Sequence, residues 1–464
     1  MNRYPVNGHP MNRCRTFVNS LAALILAGSG FLLSASPVLA AAERVVSPDG
    51  IEAWLIQDHT NPLISLAIGF RGGSALDPVG KEGMAYLASG LMDEGAGDID
   101  SAAFQAKLAD LAIDYGFEAD NDDVIGRVRT LTAHRDEAFG LLHLALTNPR
   151  MDAEPLARVR SQVLSIIASE AGNPDDVAGH AWFRMMMTGH PYARPVKGTA
   201  KSLNAITGDD LRKFAATRFA RDQLAVAVVG DITPAELAPL LDKTFGDLPA
   251  HAGDVSLSEA PPPGPGGVAV MTRDLDQSIV LFGETGIKRN DPDFYAAALI
   301  DDNIGAGDVG SRLQRNLRIK HGLVYSVGTD LITLDHADLL SGSFSTKNAS
   351  AAQAIELTRS EWQRMGESGP TAAELADAKT HLIGAYPLRF DSTLKAAESL
   401  LGIQLAGLPI DYIDKRASYL DAVTLADAKR VARRLYLADN LRFLVLGQPA
   451  GVTGTLPPPP AAAE

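Results

Sequence analysis

The chain has 464 residues, a formal net charge of −14, and 46% hydrophobic and 21% charged residues. Its length suggests roughly two to four domains, and the apolar share is ample for a core. This composition excludes a mostly disordered chain, a collagen and a multi-span membrane protein, and the acidic balance argues against a polyanion-binding surface, which needs excess Lys and Arg.

Residues 1–40 carry Arg3, Arg13 and Arg15 and no acid, and after the arginines an apolar run extends from Phe17 to Leu33. The stretch SASPVLA then places Val38 and Ala40 at the small-residue positions before a cut. That is the pattern of a secretory signal peptide, so a mature start at Ala41 and secretion to the periplasm are expected. A membrane anchor is the alternative, because the apolar run is just at the lower spanning limit. Either Met1 or Met11 can serve as the start. No other segment is apolar enough to span a membrane, and Cys14, the only cysteine, lies before the cut. Disulfides, thiol catalysis and zinc–thiolate sites are therefore excluded from the mature chain.

Two bodies follow. Residues 44–250 form the first and 268–448 the second, joined by a linker over 251–267 that contains Pro261-Pro262-Pro263-Gly264-Pro265-Gly266-Gly267, a run unable to hold a ladder or a helix. Residues 449–464 end in prolines and alanines and read as a disordered tail. Each body opens with a predicted strand pair (Ile51–Ile56 and Leu63–Phe70; Val268–Thr272 and Gln277–Phe282). Each closes on an apolar strand ending in glycine, Leu224–Gly230 and Leu441–Gly447. The interval from Trp54 to Val229 nearly equals that from Ala269 to Leu446, which suggests an internal duplication; chance likeness of two α/β halves is the alternative. Between the strands, helical periodicity predicts helices over Ser101–Asp114, opened by a Ser cap, Glu154–Ser169 after Asp152 as cap, and Thr207–Phe219. In the second body it predicts Pro292–Ile304, Ala349–Met365, Thr371–Leu382 and Thr424–Tyr436. The fold class is α+β: two duplicated halves, each a sheet with helices packed against it.

Several motifs lead nowhere. Gly305-Ala306-Gly307-Asp308-Val309-Gly310 matches G-x-G-x-x-G but follows a helical stretch, where a dinucleotide site needs a strand. Asp120-Asn121-Asp122-Asp123 lacks the closing Glu of a calcium loop and reads as a charged, solvated turn. His134, His143, His180, His190 and His381 form no metal-ligating pair, and H-E-x-x-H, H-x-x-E-H and G-x-S-x-G are all absent. His190, in Gly189-His190-Pro191-Tyr192, reads as a loop-locking residue. The run Ser311–Gly328 is richer. Leu313 and Leu317 make an i, i+4 pair, Gly322 is a helix terminator, and a strand follows from Leu323. Arg318 in the last turn and Tyr325 on the strand can meet, giving donors able to grip peptide carbonyls or an oxyanion. A dipole-favoured Arg beside a half-buried Tyr is the plainer alternative.

These segments together resemble the pitrilysin/insulinase family of zinc metallopeptidases, in the short-chain branch related to mitochondrial processing peptidase. The resemblance covers about residues 44–448. It rests on Gly72-Gly73-Ser74 through Asp93-Glu94-Gly95, on His190-Pro191-Tyr192 with Lys197-Gly198-Thr199, and on the Ser311–Val327 run. It implies duplicated α+β halves and a zinc held by H-x-x-E-H plus a later glutamate. Here the matching positions are Tyr86, Ser89 and Gly90, and the third ligand falls at Ile166 on a gap-free count. Tyr, Gly and Ile are not a zinc ligand set, and Ser89 is no carboxylate base. The resemblance therefore implies no cofactor and no catalytic residue in this chain, with zinc expected in a partner. It also implies that Arg318 and Tyr325 bind substrate. The expectation is a non-catalytic subunit of a heterodimeric peptidase, paired with an H-x-x-E-H-bearing family member and a peptide substrate, with no nucleic acid and no membrane span. The alternatives are a stand-alone peptide-binding scaffold and an unrecognised hydrolase.

Overall fold

Two β-sheets of nearly equal topology organise the chain in this computed structural model, which describes residues 41–307 and 310–459. The leader read at 1–40 lies outside the described residues. The first sheet holds β1 (Glu43–Val46), β2 (Glu52–Gln57), β3 (Leu63–Arg71), β4 (Asp114–Ala119), β5 (Asp123–Leu131) and β6 (Leu224–Gly230), in the order β1-β2-β6-β3-β5-β4. The second holds β7 (Gly267–Thr272), β8 (Gln277–Thr285), β9 (Val324–Thr333), β10 (Asp338–Lys347) and β11 (Arg442–Gly447), in the order β7-β11-β8-β10-β9. Apart from β1, the two orders superimpose. In each sheet the opening strand runs parallel to the closing one, β2 with β6 and β7 with β11, and the remaining ladders are antiparallel. The duplication expected from strand spacing is present in the ladder pattern.

Where local signals are strong the helices stand as expected. Thr207, Thr371 and Thr424 each cap a helix through a reciprocal capping box with the acid three residues on, which satisfies orphan N–H groups at the helix start. Two helix starts need correction. The helix Ser101–Asp110 is capped by Asp100, whose side chain accepts from the Ala103 N–H at 2.9 Å, not by Ser101. It also stops short of Asp114, because Ala112 takes a φ of 52° and β4 begins. Asp152 holds the cap position of helix Ala153–Gly172, but its carboxylate takes the Arg150 Nε–H at 2.6 Å and caps nothing.

The halves exchange helices. Helix Pro174–Met186, from the first half, packs on β8 and β11 of the second sheet, and helix Thr393–Leu405, from the second half, packs on β3 and β6 of the first. A glycine sits under each crossing. A Cβ on Gly69 would come within 3.0 Å of Leu405, and one on Gly283 within 3.1 Å of Trp182. Trp182, Met185 and Met186 are buried with Ala269 and Leu444 of the second sheet. Both halves consequently fall within one compact unit. No helix among the described residues is long and apolar enough to cross a membrane.

The tail differs from expectation. The Ala450 N–H reaches the Asn348 carbonyl, and the Thr455 and Leu456 N–H groups reach the Val268 carbonyl at 2.8 and 2.9 Å. Residues 449–456 are thus docked along β7, with Leu456 packed against the exchanged-helix cluster; residues 460–464 lie outside the described residues.

Candidate functional site

Tyr86 and Ser89 lie on helix Met84–Ser89, with Gly90 at its C-cap. The helix start is held by Asp77, whose carboxylate accepts from the N–H groups of Gly83, Met84 and Ala85 at 2.8, 2.8 and 3.1 Å. Burial pushes the Asp77 carboxyl up to about 7 against those bonds and the nearby Arg194. Gly83 has a φ of 91°, and a Cβ there would fall 2.5 Å from the Lys197 carbonyl oxygen; a Cβ on Gly198 would fall 2.0 Å from that of Glu82. Only two glycines let the 197–198 turn run against the helix start, and this contact brings Lys197 beside Tyr86.

Each motif side chain has a structural task. Ser89 is buried and its hydroxyl donates to the Tyr86 carbonyl at 2.8 Å, so it is spent on its own helix. Gly90 faces helix Ala153–Gly172, where a Cβ would meet Val159 Cγ1 at 3.1 Å. Tyr86 is half-buried, its phenol raised first by burial, with the Lys197 ammonium 5.7 Å from its ring centroid. Lys197 Nζ in turn pairs with Glu170 Oε1 at 2.7 Å.

Ile166 is 40% exposed, and the carboxylate that acts on Tyr86 from this helix is Glu170, one turn further along the same helix face. Sequence reading missed Glu170 and Lys197; the acid one turn beyond Ile166 was the available signal. These residues do not fit zinc. The one acid on the helix near Tyr86 is already neutralised by an ammonium, and no group of three or more His, Cys, Asp or Glu among the described residues is placed to hold a metal.

The H-P-Y and K-G-T segments are also structural. His190 Nδ1 accepts from the Tyr192 N–H at 3.2 Å while Nε2 meets the Ser258 carbonyl at 2.8 Å, so Nε2 carries the proton. Burial lowers the His190 pKa, in keeping with a neutral ring that locks the loop. The Tyr192 hydroxyl donates to Asp122, whose other oxygen accepts from the Asp335 N–H at 3.1 Å. The acidic turn 120–123, expected to be merely solvated, therefore ties the two halves together. Burial pushes Asp123 up to about 8.

In the second half, the G-x-G-x-x-G run follows helix Phe294–Asp301 and includes part of a π-helical turn over Asp302–Ala306; its Asp308 and Val309 lie outside the described residues. Arg318 closes the π-helical stretch Gln314–Lys320. Gly322, at φ 61°, turns the chain into β9, with its N–H on the Arg318 carbonyl at 3.0 Å. This turn sets the Arg318 guanidinium 5.2 Å from the Tyr325 ring centroid. Tyr325 is 79% exposed, and Ile319, next to Arg318 in sequence, 60%. The structure thus brings Arg318 and Tyr325 together, and among the described residues no hydrogen bond, ion pair or ring contact joins either to Tyr86, Ser89 or Gly90. A separate cleft of about 1290 Å³ opens between the halves, reaching from Arg71 and Asp122 to Arg289, His381 and Arg416.

Residues 205–382 match the family model described as the peptidase M16 inactive domain. The non-peptidase homolog YmxG of Helicobacter pylori is 24% identical over 392 residues, 84% of this chain and 90% of that protein. An uncharacterized zinc protease of Mycobacterium tuberculosis is 26% identical over 326 residues, 69% of this chain and 73% of that protein. Among solved structures, the peptidase M16 inactive domain from Pseudomonas fluorescens has a TM-score of 0.82 at 24% identity, covering 90% of this chain and 99% of that one. A protease from Helicobacter pylori has a TM-score of 0.78 at 17% identity, covering 88% of this chain and all of that one. These likenesses show the fold.

Proposed function

We propose that this chain, which carries the peptidase M16 inactive domain over residues 205–382 and the fold that goes with it, is a periplasmic, substrate-binding subunit of a heterodimeric zinc metallopeptidase. Its partner carries H-x-x-E-H and the zinc, and Arg318 and Tyr325 enter that partner's active site. The observation that carries this reading is the asymmetry of the two halves. In the first, every motif side chain is turned to packing or internal pairing. In the second, an exposed Tyr325 carries a stacked guanidinium with no carboxylate partner among the described residues.

A guanidinium and a phenol supply N–H and O–H donors only where a carbonyl or developing oxyanion comes within reach. Their weight falls on the transition state, where losing one such donor costs roughly 10²–10³ in kcat. The test is peptide hydrolysis by the two-chain complex isolated from the periplasmic fraction and reconstituted with variants. Arg318→Ala and Tyr325→Phe are expected to lose rate on that scale with pairing intact by size exclusion. Arg318→Lys should rescue poorly, because an ammonium lacks the planar fork. Near-wild-type rates for both variants would instead favour a stand-alone peptide-binding scaffold.

A further inference from the structure

The wall of the central cleft formed by the second half is rich in cations that no acid neutralises. Arg289, Arg389 and Arg416 all line it, and among the described residues none of the three is in an ion pair. Two are held on ring faces. Arg289 lies 4.2 Å from the Phe294 centroid and 5.3 Å from that of Tyr412, and donates to the Tyr412 hydroxyl at 2.8 Å. Arg416 lies 4.2 Å from the Tyr386 centroid and donates to the Leu382 carbonyl at 2.8 Å. All three guanidiniums act electrostatically on the Tyr386 phenol, so they converge on one corner. In a chain of net charge −14, three unpaired arginines at one place need an explanation beyond solvation.

Stacking occupies the faces of a guanidinium and leaves its edges free. Each has about five N–H donors; Arg289 spends donors on Tyr412 and Tyr295, and Arg416 one on the Leu382 carbonyl. The free edges suit bidentate capture of an oxyanion. The second-half acids that line the cleft are otherwise engaged: Asp302 by His381 at 2.7 Å, Asp335 by Arg71 and Glu398 by Arg127, and burial holds Asp301 up at about 7. The cleft is far larger than a free anion needs, since pockets of ~300–1,000 Å³ already take drug-sized ligands, and Leu388, 74% exposed, adds apolar surface at the same wall.

We propose that the Arg289–Arg389–Arg416 corner is an oxyanion-binding site that holds a carboxylate carried on a peptide, making acidic peptides the preferred occupants of the cleft. The proposal goes beyond the partner reading and stands without it, because binding to this chain alone reports it, whereas hydrolysis by the complex reports the other. Free phosphate shares the chemistry and is the competing source.

The experiment is calorimetric titration of the purified chain with a short N-acetylated, C-amidated peptide rich in Glu, with its Gln counterpart, and with inorganic phosphate. The Glu peptide is expected to bind at least ~10-fold more tightly than the Gln peptide, with affinity falling as salt rises. Arg389→Gln and Arg416→Gln should each remove most of that preference, while Arg44→Gln, which pairs with Glu52 on the surface, should not. Arg389 has no hydrogen-bond or ring partner among the described residues, so its variant tests the charge without disturbing packing; melting temperatures check the Arg416 variant. Equal binding of the two peptides, or an unchanged preference in Arg389→Gln, would overturn the proposal. So would saturation by phosphate alone with displacement of the peptide, which would make the corner a free-anion site.

Discussion

Val159 Cγ1 stands 3.1 Å from where a Cβ at Gly90 would begin, so an imidazole there must push the Val159 side chain aside. Overpacking of this kind costs typically 1–3 kcal/mol. Gly90→His is therefore expected to lower the unfolding free energy by about that amount in urea titration, and Val159→Ala in the same chain to recover part of it. Strict additivity of the two changes would show that the helices do not meet as described. The absence of H-x-x-E-H is legible in the sequence because the motif is local. The Lys197–Glu170 pair is not. It joins a turn to a distant helix, and the register of that helix against Tyr86 depends on how the 197–198 turn seats on Gly83. Arg318 and Tyr325 were legible because one glycine turn alone determines their meeting.

The sequence-predicted strand Gln277–Phe282 continues in the structure to Thr285. The added stretch of strand carries Glu284, which is 3% exposed and accepts from Trp362 Nε1 and the Leu437 N–H. Burial outweighs those bonds and pushes its pKa to about 7 from an ordinary value of 4.5. The folded value is raised, so its contribution is fully present below the unfolded pKa near 4.5 and is lost as pH rises through about 7. That loss amounts to roughly 3–4 kcal/mol at ~1.4 kcal/mol per pKa unit. Calorimetric melting should show stability declining between about pH 4.5 and pH 7, with a flatter decline in Glu284→Gln. Parallel profiles would mean that Glu284 is not buried as described. Capping boxes such as Thr371 with Glu374 were readable because donor and acceptor lie within one turn; Glu284 was not, because its donors come from residues distant in sequence.

At the scale of the whole molecule, the duplication was legible from strand spacing and terminal glycines, but the exchange of helices between halves was not. The periodicity of Pro174–Met186 says that a face is buried and leaves open which sheet buries it; Gly69 and Gly283, the bare spots beneath the crossings, give the clue only once the topology is known. The exchange carries a mechanical consequence. Separating the halves would uncover Trp182, Met185 and Met186 on one side and Leu400 and Leu401 on the other, all buried now. At about 1.5–3 kcal/mol per large apolar side chain, that is on the order of 10 kcal/mol. The Arg71–Asp335 and Arg127–Glu398 pairs and the Tyr192–Asp122–Asp335 tie cross the same boundary. The linker segment 261–265 contributes few hydrogen bonds beyond the one that Arg442 Nε donates to the Pro265 carbonyl. A protease site built into Pro261–Pro265 should therefore be cut in the native protein without releasing either half. The nicked chain is expected to elute in size exclusion as one species at micromolar concentration, with the far-UV circular dichroism of the intact chain, and to separate only in denaturant. Two fragments that part under native conditions would show that the linker, and not the exchanged helices, holds the halves together.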